Sequence, residues 1–192
     1  VKQKHWLALA VFLGVVVGVE LYVFRGGPSA EESSVAPNFD PMTYFPHLEP
    51  GEIAPAFEGE NVDGGKEPID YPEGGGKTLL FVLSPSCGTC AKTIPKWNQL
   101  AAQLEPPARV FGLVIGSYQG EQRLMKDKNI TFPLLRFPNR KVVEQYKISK
   151  VPQTILVAPG GRVEAAILGE LNGGQVKDLL HRLAGRPEKP SI

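Results

Sequence analysis

From Lys77 onward the chain alternates between two hydrophobic rhythms. Lys77 to Ser84 (KTLLFVLS) is a continuous apolar run, as expected of a strand buried on both faces. From Gly88 to Leu104, the residues Ala91, Ile94, Trp97, Ala101 and Leu104 recur at three- and four-residue spacing, which predicts an amphipathic helix. Arg109 to Ile115 (RVFGLVI) is a second buried strand, and Gln119 to Asn129 a shorter helix. Pro133 to Arg136 predicts a short strand and Val142 to Tyr146 a helical turn or two. Gln153 to Ala158 and Val163 to Leu168 flank Pro159-Gly160-Gly161, a hairpin signal. Asn172 can cap a last helix carrying Val176, Leu179, Leu180 and Leu183 and ending near Gly185. Ahead of these, Glu67 to Tyr71 is a candidate strand before the turn Pro72–Gly76. Strands and helices in alternation, followed by a hairpin and a helix, predict an α/β domain with a mixed sheet.

The other end of the chain follows neither rhythm. Trp6 to Phe24 is nineteen residues long with one ionisable group, Glu20, close to the roughly 20 apolar residues that span a bilayer. A cleaved signal peptide is the alternative. Its apolar region is usually about 7–15 residues and ends in an A-x-A-like site. Here the two candidate sites, after Ala30 and after Ala36, are spoiled by Pro28 and Pro37. Lys2 and Lys4 precede the segment, so the positive-inside bias leaves the N-terminus cytoplasmic and the remainder outside. Glu20 lies about one turn from the outer end, where it is tolerated. Residues 26–50 carry Gly26-Gly27-Pro28 and Pro37, Pro41, Pro46 and Pro50, which favour an extended tether. Phe39, Met42, Tyr44, Phe45 and Leu48 are too apolar for a pure linker, so part of it is expected to pack on the domain.

Charge sharpens this layout. The formal total of +1 conceals three blocks. Residues 1–27 carry +2, residues 28–76 carry eleven acids against Lys66 alone, and residues 77–192 carry seventeen Lys/Arg against eight Asp/Glu. An acidic arm therefore joins a basic body. The 42% hydrophobic content supports a packed core. Two cysteines exclude a disulfide-dense mini-protein and a four-thiolate zinc site, and His5, His47 and His181 are scattered.

The chemistry concentrates in Cys87-Gly88-Thr89-Cys90, which follows a buried strand and opens a helix. A thiol at a helix N-terminus faces unpaired N–H groups and the positive end of the helix dipole, and both stabilise the thiolate. Cys87 is the candidate nucleophile. Cys90, one turn in and on the buried side, is the candidate resolving thiol, poised to attack a mixed disulfide on Cys87. This spacing allows a disulfide without large backbone movement. A purely structural bridge is the alternative, although closing so short a loop removes little unfolded-state entropy. The redox centre expected here is the cysteine pair itself, with no metal and no separate cofactor.

Several phrases resemble the thioredoxin superfamily, and within it the membrane-anchored TlpA-like or redoxin (AhpC/TSA-like) group. Gly51-Glu52-Ile53-Ala54-Pro55-Ala56-Phe57 is similar to the redoxin opening G-x-x-A-P-x-F, and Leu79 to Leu83 to the strand before the active site. Pro95 stands where thioredoxins place the proline that kinks the active-site helix. Val151-Pro152 stands where the family keeps a cis-proline whose neighbouring backbone pairs with an extended substrate. Ser84-Pro85-Ser86-Cys87 also resembles the accessory proteins of methylamine dehydrogenase maturation. The resemblance implies a thioredoxin-like fold, a central mixed sheet flanked by helices, over residues 51–186. The anchor and stub at 1–25 and the linker at 26–50 precede it, and a tail at 187–192 follows. It implies an extracytoplasmic thiol–disulfide oxidoreductase, single-pass and held in the lipid bilayer by residues 6–24. Its partners would be cysteine-containing exported clients, such as apocytochromes or a maturing dehydrogenase, and a membrane electron donor or acceptor, with no nucleic acid.

Three positions depart from the family pattern. Ser86 replaces a common Trp, Phe81 stands where thioredoxins bury an acid, and Thr93 stands where TlpA-like reductases often have Glu. Without a carboxylate at either place, deprotonation of Cys90 falls to water or another group, and a slower or more specialised exchanger is expected. The Ser86 and Thr89 hydroxyls are candidate donors to the Cys87 thiolate, with plain solvation as the alternative. Gly88 completes the motif. Two other functions compete with this one. A peroxiredoxin-like peroxidase would resemble its relatives in a Pro-x-x-x-Thr-x-x-Cys motif, which Leu83-Ser84-Pro85-Ser86 does not supply. A copper-delivery or assembly factor of this fold would resemble C-x-x-x-C with a downstream His, against C-x-x-C here.

Overall fold

A computed structural model of the chain describes residues 45–116 and 127–185. The apolar segment 6–24, the anchor expected there, and most of the helix expected at 119–129 lie outside the described residues. Among the described residues no helix is long and apolar enough to cross a membrane.

Seven strands form one sheet in the order β2-β1-β5-β4-β3-β6-β7. In chain order these are β1 (Phe57–Asn61), β2 (Lys66–Ile69), β3 (Thr78–Leu83), β4 (Arg109–Val114), β5 (Leu134–Arg136), β6 (Gln153–Val157) and β7 (Val163–Leu168). The helices are α1 (Gly88–Ala102), α2 (Arg140–Gln145) and α3 (Gly173–Leu183). β3 runs parallel to β4, and β4 parallel to β5, while β6 and β7 are antiparallel, so the sheet is mixed as expected. β3 is an interior strand between β4 and β6, and all six of its residues are buried, which explains its apolar run.

One strand is absent from the sequence reading. β1 (FEGEN) carries one apolar residue and a glycine, so it has no strand rhythm of its own. Pairing makes it a strand: Glu60 aligns with Arg136 of β5, and Phe57 with Ile69 of β2. Gly59 fits closely there: a Cβ would lie 3.1 Å from the Leu135 Cβ, tighter than an ordinary contact.

The alternation of β3 divides the core between two faces. Leu79, Phe81 and Leu83 pack with Cys90, Ile94, Trp97 and Leu100 of α1 and with Leu179 of α3. Leu80 and Val82 pack on the other face with Ile69, Tyr71, Phe111, Tyr146 and Ile155. Leu48 belongs to this second core and is 2% exposed, so packing begins inside the proline-rich arm. α3 begins as expected at Asn172, which accepts from the Gln175 N–H while the Gln175 side chain accepts from the Asn172 N–H. Such a reciprocal cap stabilises a helix by about 1 kcal/mol. α2 starts two residues ahead of the expected turn, because Asn139 caps it by accepting from the Val142 N–H.

Candidate active site

The site lies where β3 ends and α1 begins. Ser84 and Pro85 turn the chain, and the Cys87 N–H donates to the Ser84 carbonyl at 3.0 Å. Cys87 is then the N-cap of α1, in extended backbone, and its sulfur accepts from the Cys90 N–H at 3.1 Å. One of the orphan donors of the helix start is thus aimed at the Cys87 sulfur, which favours its thiolate when the pair is reduced. Cys87 and Cys90 form a disulfide, with Cα atoms 5.2 Å apart. Cys87 is half-buried whereas Cys90 is fully buried, so an incoming sulfur reaches Cys87 first.

The Val151–Pro152 peptide is cis, and the Val151 carbonyl oxygen lies 3.9 Å from the Cys87 sulfur. Pro152 is buried, and Val151 packs against both cores. The structure thus brings together the four residues singled out for exchange and binding: Cys87, Cys90, Val151 and Pro152. The supporting residues divide. A Cβ at Gly88 would meet nothing within 4 Å, so glycine leaves open space beside Cys87 rather than relieving a clash. The Ser86 hydroxyl pairs with that of Ser84 at 3.2 Å. Thr89 contributes its carbonyl, which accepts from the Thr93 hydroxyl at 3.0 Å. Pro95 lies on the exposed side of α1, where its missing N–H removes one internal helix bond.

Of the two positions that lack acids, Phe81 is filled by aromatic packing. Phe81 stacks on Trp97 with ring centroids 5.0 Å apart and meets Phe132 edge-on at 4.9 Å. The Trp97 indole N–H donates to the Thr154 hydroxyl at 2.9 Å, two residues beyond Pro152. Thr93 is fully buried and spends its hydroxyl on the helix backbone. Trp97, Thr154 and Gln153 escaped the sequence reading. Trp97 reads there only as a core residue, and its bond to Thr154 spans 57 positions. Gln153 is buried, and its amide N–H donates to the Lys150 carbonyl at 2.9 Å, bracing the loop that presents Val151.

A mixed sheet with a C-x-x-C pair at a helix start, opposite a cis-proline, defines the thioredoxin-like class of redox proteins. The AhpC/TSA family profile matches residues 50–166, and the chain belongs to that family. Thiol-disulfide oxidoreductase ResA of Bacillus subtilis is 24% identical over 186 residues, covering 94% of this chain and 93% of the relative. Sporulation thiol-disulfide oxidoreductase A of the same organism is 25% identical over 117 residues, covering 58% and 71%. Among solved structures, a putative thiol:disulfide interchange protein DsbE from Chlorobium tepidum superposes with a TM-score of 0.60 at 18% identity, covering 72% and 97%. Family and homologues class the chain as a thiol–disulfide oxidoreductase.

Proposed function

We propose that the chain exchanges disulfides with cysteine-bearing exported proteins, with Cys87 as nucleophile and Cys90 as resolving thiol. In the reducing direction the Cys87 thiolate attacks one sulfur of a client disulfide. The client S–S bond breaks, its second sulfur leaves as a thiolate and takes up a proton, and Cys87 holds the client in a mixed disulfide. Cys90 then loses its proton and attacks the Cys87 sulfur, freeing the first client thiol and closing Cys87–Cys90. The client gains two electrons, which the cysteine pair gives up, and the oxidising direction is the reverse. The pair itself carries the electrons. The observation that carries this reading is the Cys90 N–H aimed at the half-buried Cys87 sulfur beside the cis Val151–Pro152 bond.

Val151 offers its backbone to an extended client segment, and Pro152 fixes the turn that presents it. The apolar segment 6–24 holds the domain in the bilayer on the extracytoplasmic side, where disulfides form and persist. A membrane partner supplies or removes the electrons.

Phe81 and Thr93 leave Cys90 without a neighbouring carboxylate at the two positions where relatives place one, so its deprotonation is slow and a specialised client is expected. Stopped-flow reduction of a model disulfide across pH tests this. The expected rate rises with the thiolate fraction of Cys87 and shows no carboxylate-like inflection. A fast rate with a clean carboxylate-like pKa overturns the slow-proton reading, and absence of any exchange overturns the redox reading. The Cys87–Cys90 reduction potential then separates a reductase from a disulfide donor.

A further inference from the structure

Beside the cysteine pair, on the face of the sheet away from α1, lies a depression of about 210 Å³. It is lined by Ser84, Ile115, Ile148, Ser149, Lys150 and Val151. It meets the redox site directly, because Ser84 holds the Cys87 N–H and Val151 faces the Cys87 sulfur. Ile148 and Ser149 also line a second depression of about 330 Å³, which continues toward Val143 and Arg140. The two share Ile148 and Ser149 and so make up a groove, with Ile115, Ile148, Val151 and Val143 as its apolar lining, whose near end lies at Ser84 and Val151, the neighbours of Cys87.

The charges at its rim are unequal. Arg140 is paired with Glu144 at 2.8 Å, and Lys147 with Glu52. Lys150 is exposed and has no carboxylate partner among the described residues. Its ammonium instead sits over the Phe45 ring, 4.2 Å from the centroid, which holds it at the groove mouth. A cation fixed by an aromatic ring, beside an apolar pocket, complements a segment with a large apolar side chain and a nearby acid.

We infer that this groove selects clients whose reactive cysteine is flanked by an apolar side chain, seated on Ile115, Ile148 and Val151, and by a carboxylate that pairs with Lys150. This rests on the redox reading above and names the kind of client segment it acts on. In an extended segment bonded to the Val151 backbone, neighbouring side chains point to opposite sides, so an apolar anchor laid on the groove floor leaves the adjacent acid directed to the rim, where Lys150 stands.

The test uses the full chain, reduced, and pyridyl disulfides of three five-residue peptides: Glu-Leu-Cys-Leu-Glu, Lys-Leu-Cys-Leu-Lys and Glu-Ala-Cys-Ala-Glu. A neutral pyridyl hydroxyethyl disulfide serves as the fourth substrate. In each, the Cys87 thiolate attacks the aliphatic sulfur and releases pyridine-2-thione, whose absorbance gives the rate. At low ionic strength the acidic leucine peptide is expected to react about tenfold faster than the basic one, with the ratio shrinking as salt rises. It is also expected to outpace the alanine peptide about tenfold, the order of one apolar side chain's partial burial. Lys150→Glu should reverse the charge preference and Lys150→Gln abolish it, each read as a ratio within one variant so that folding yield cancels. A wild-type chain that consumes the neutral disulfide but ranks the peptides equally overturns the inference and leaves the redox reading standing. One that consumes none of the four overturns both. A charge preference unchanged in Lys150→Glu overturns the assignment to Lys150. A preference that emerges only after Glu31, Glu32 and Asp40 are replaced by amides gives the groove to the chain's own acidic arm, and also overturns it.

Discussion

The two faces of the sheet are built from similar apolar residues but are held together differently. On the α1 face the largest side chains meet ring to ring: Phe81, Trp97 and Phe132 lie within 4.9–6.4 Å of one another, centroid to centroid. On this face the Trp97 N–H is spent on the Thr154 hydroxyl and the Thr93 hydroxyl on the Thr89 carbonyl. On the opposite face two tyrosines form a chain of hydroxyls. Tyr146 donates to the Pro55 carbonyl at 2.7 Å, so Tyr71 donates to the Tyr146 oxygen at 2.6 Å. Burial pushes Tyr71 up to about 12 and raises Tyr146 as well, so both stay neutral at physiological pH. The face under the cysteines has thus exchanged ionisable groups for dispersion, whereas the far face uses polar bonds to fasten the arm that carries Pro55. The chemistry and the fastening are placed on opposite sides of one sheet.

Four substitutions probe that separation. Cys87→Ala should lower disulfide exchange by about 10³-fold or more, because no second thiol reaches the client, while costing only about 1–2 kcal/mol of stability through the lost cap and cross-link. A rate assay beside calorimetry checks both. Phe81→Ala should cost about 3–5 kcal/mol and disturb exchange too, since the ring supports the layer beneath Cys90. Urea unfolding gives the first and the rate assay the second. A large stability loss with intact exchange would break the link between this face and the chemistry. Tyr146→Phe should cost about 1–2 kcal/mol by leaving the Pro55 carbonyl and the Tyr71 hydroxyl short of a partner, with exchange unaltered.

Glu52→Gln is the mildest. A hydrogen bond from Lys147, and then the Glu49 N–H, hold the Glu52 carboxyl below the ordinary glutamate value of 4.5. A depressed folded-state pKa contributes stability above the unfolded value, and that contribution is lost as pH falls through the folded value. The substitution should cost about 0.5 kcal/mol near neutrality, as for an exposed pair, and flatten the decline in melting temperature below about pH 4.5. An unchanged acid limb would remove Glu52 from the fastening of the arm.

The parts of the fold that were legible are those whose signal is local. β3 announces itself by six consecutive buried residues, and α1 by the spacing of Ile94, Trp97 and Ala101 behind a C-x-x-C. The Asn172 cap is likewise contained in a few residues. β1 was not legible because its strand character comes from pairing with β2 and β5, the latter more than seventy positions away. In the site, the cysteines and the proline carry recognisable phrases. The Trp97–Thr154 bond and the Lys150 groove do not, because each depends on which distant loop the sheet order brings alongside. Lys150 in isolation is one cation among the seventeen of the basic body.

The ends of the described domain are unequal as handles. Phe45 and Pro46 enter it against Lys150 and Ser149, at the working end of the molecule. α3 finishes beside Gln103 and Leu104, past the opposite end of α1, which at fifteen residues is about 22 Å long. A dye, a bead or a fusion partner attached after Gly185 therefore leaves the cysteines unobstructed, and the same cargo placed just before Phe45 crowds the approach to them. For a surface-immobilised or sensor version of this protein, the choice of end is decided by that polarity alone.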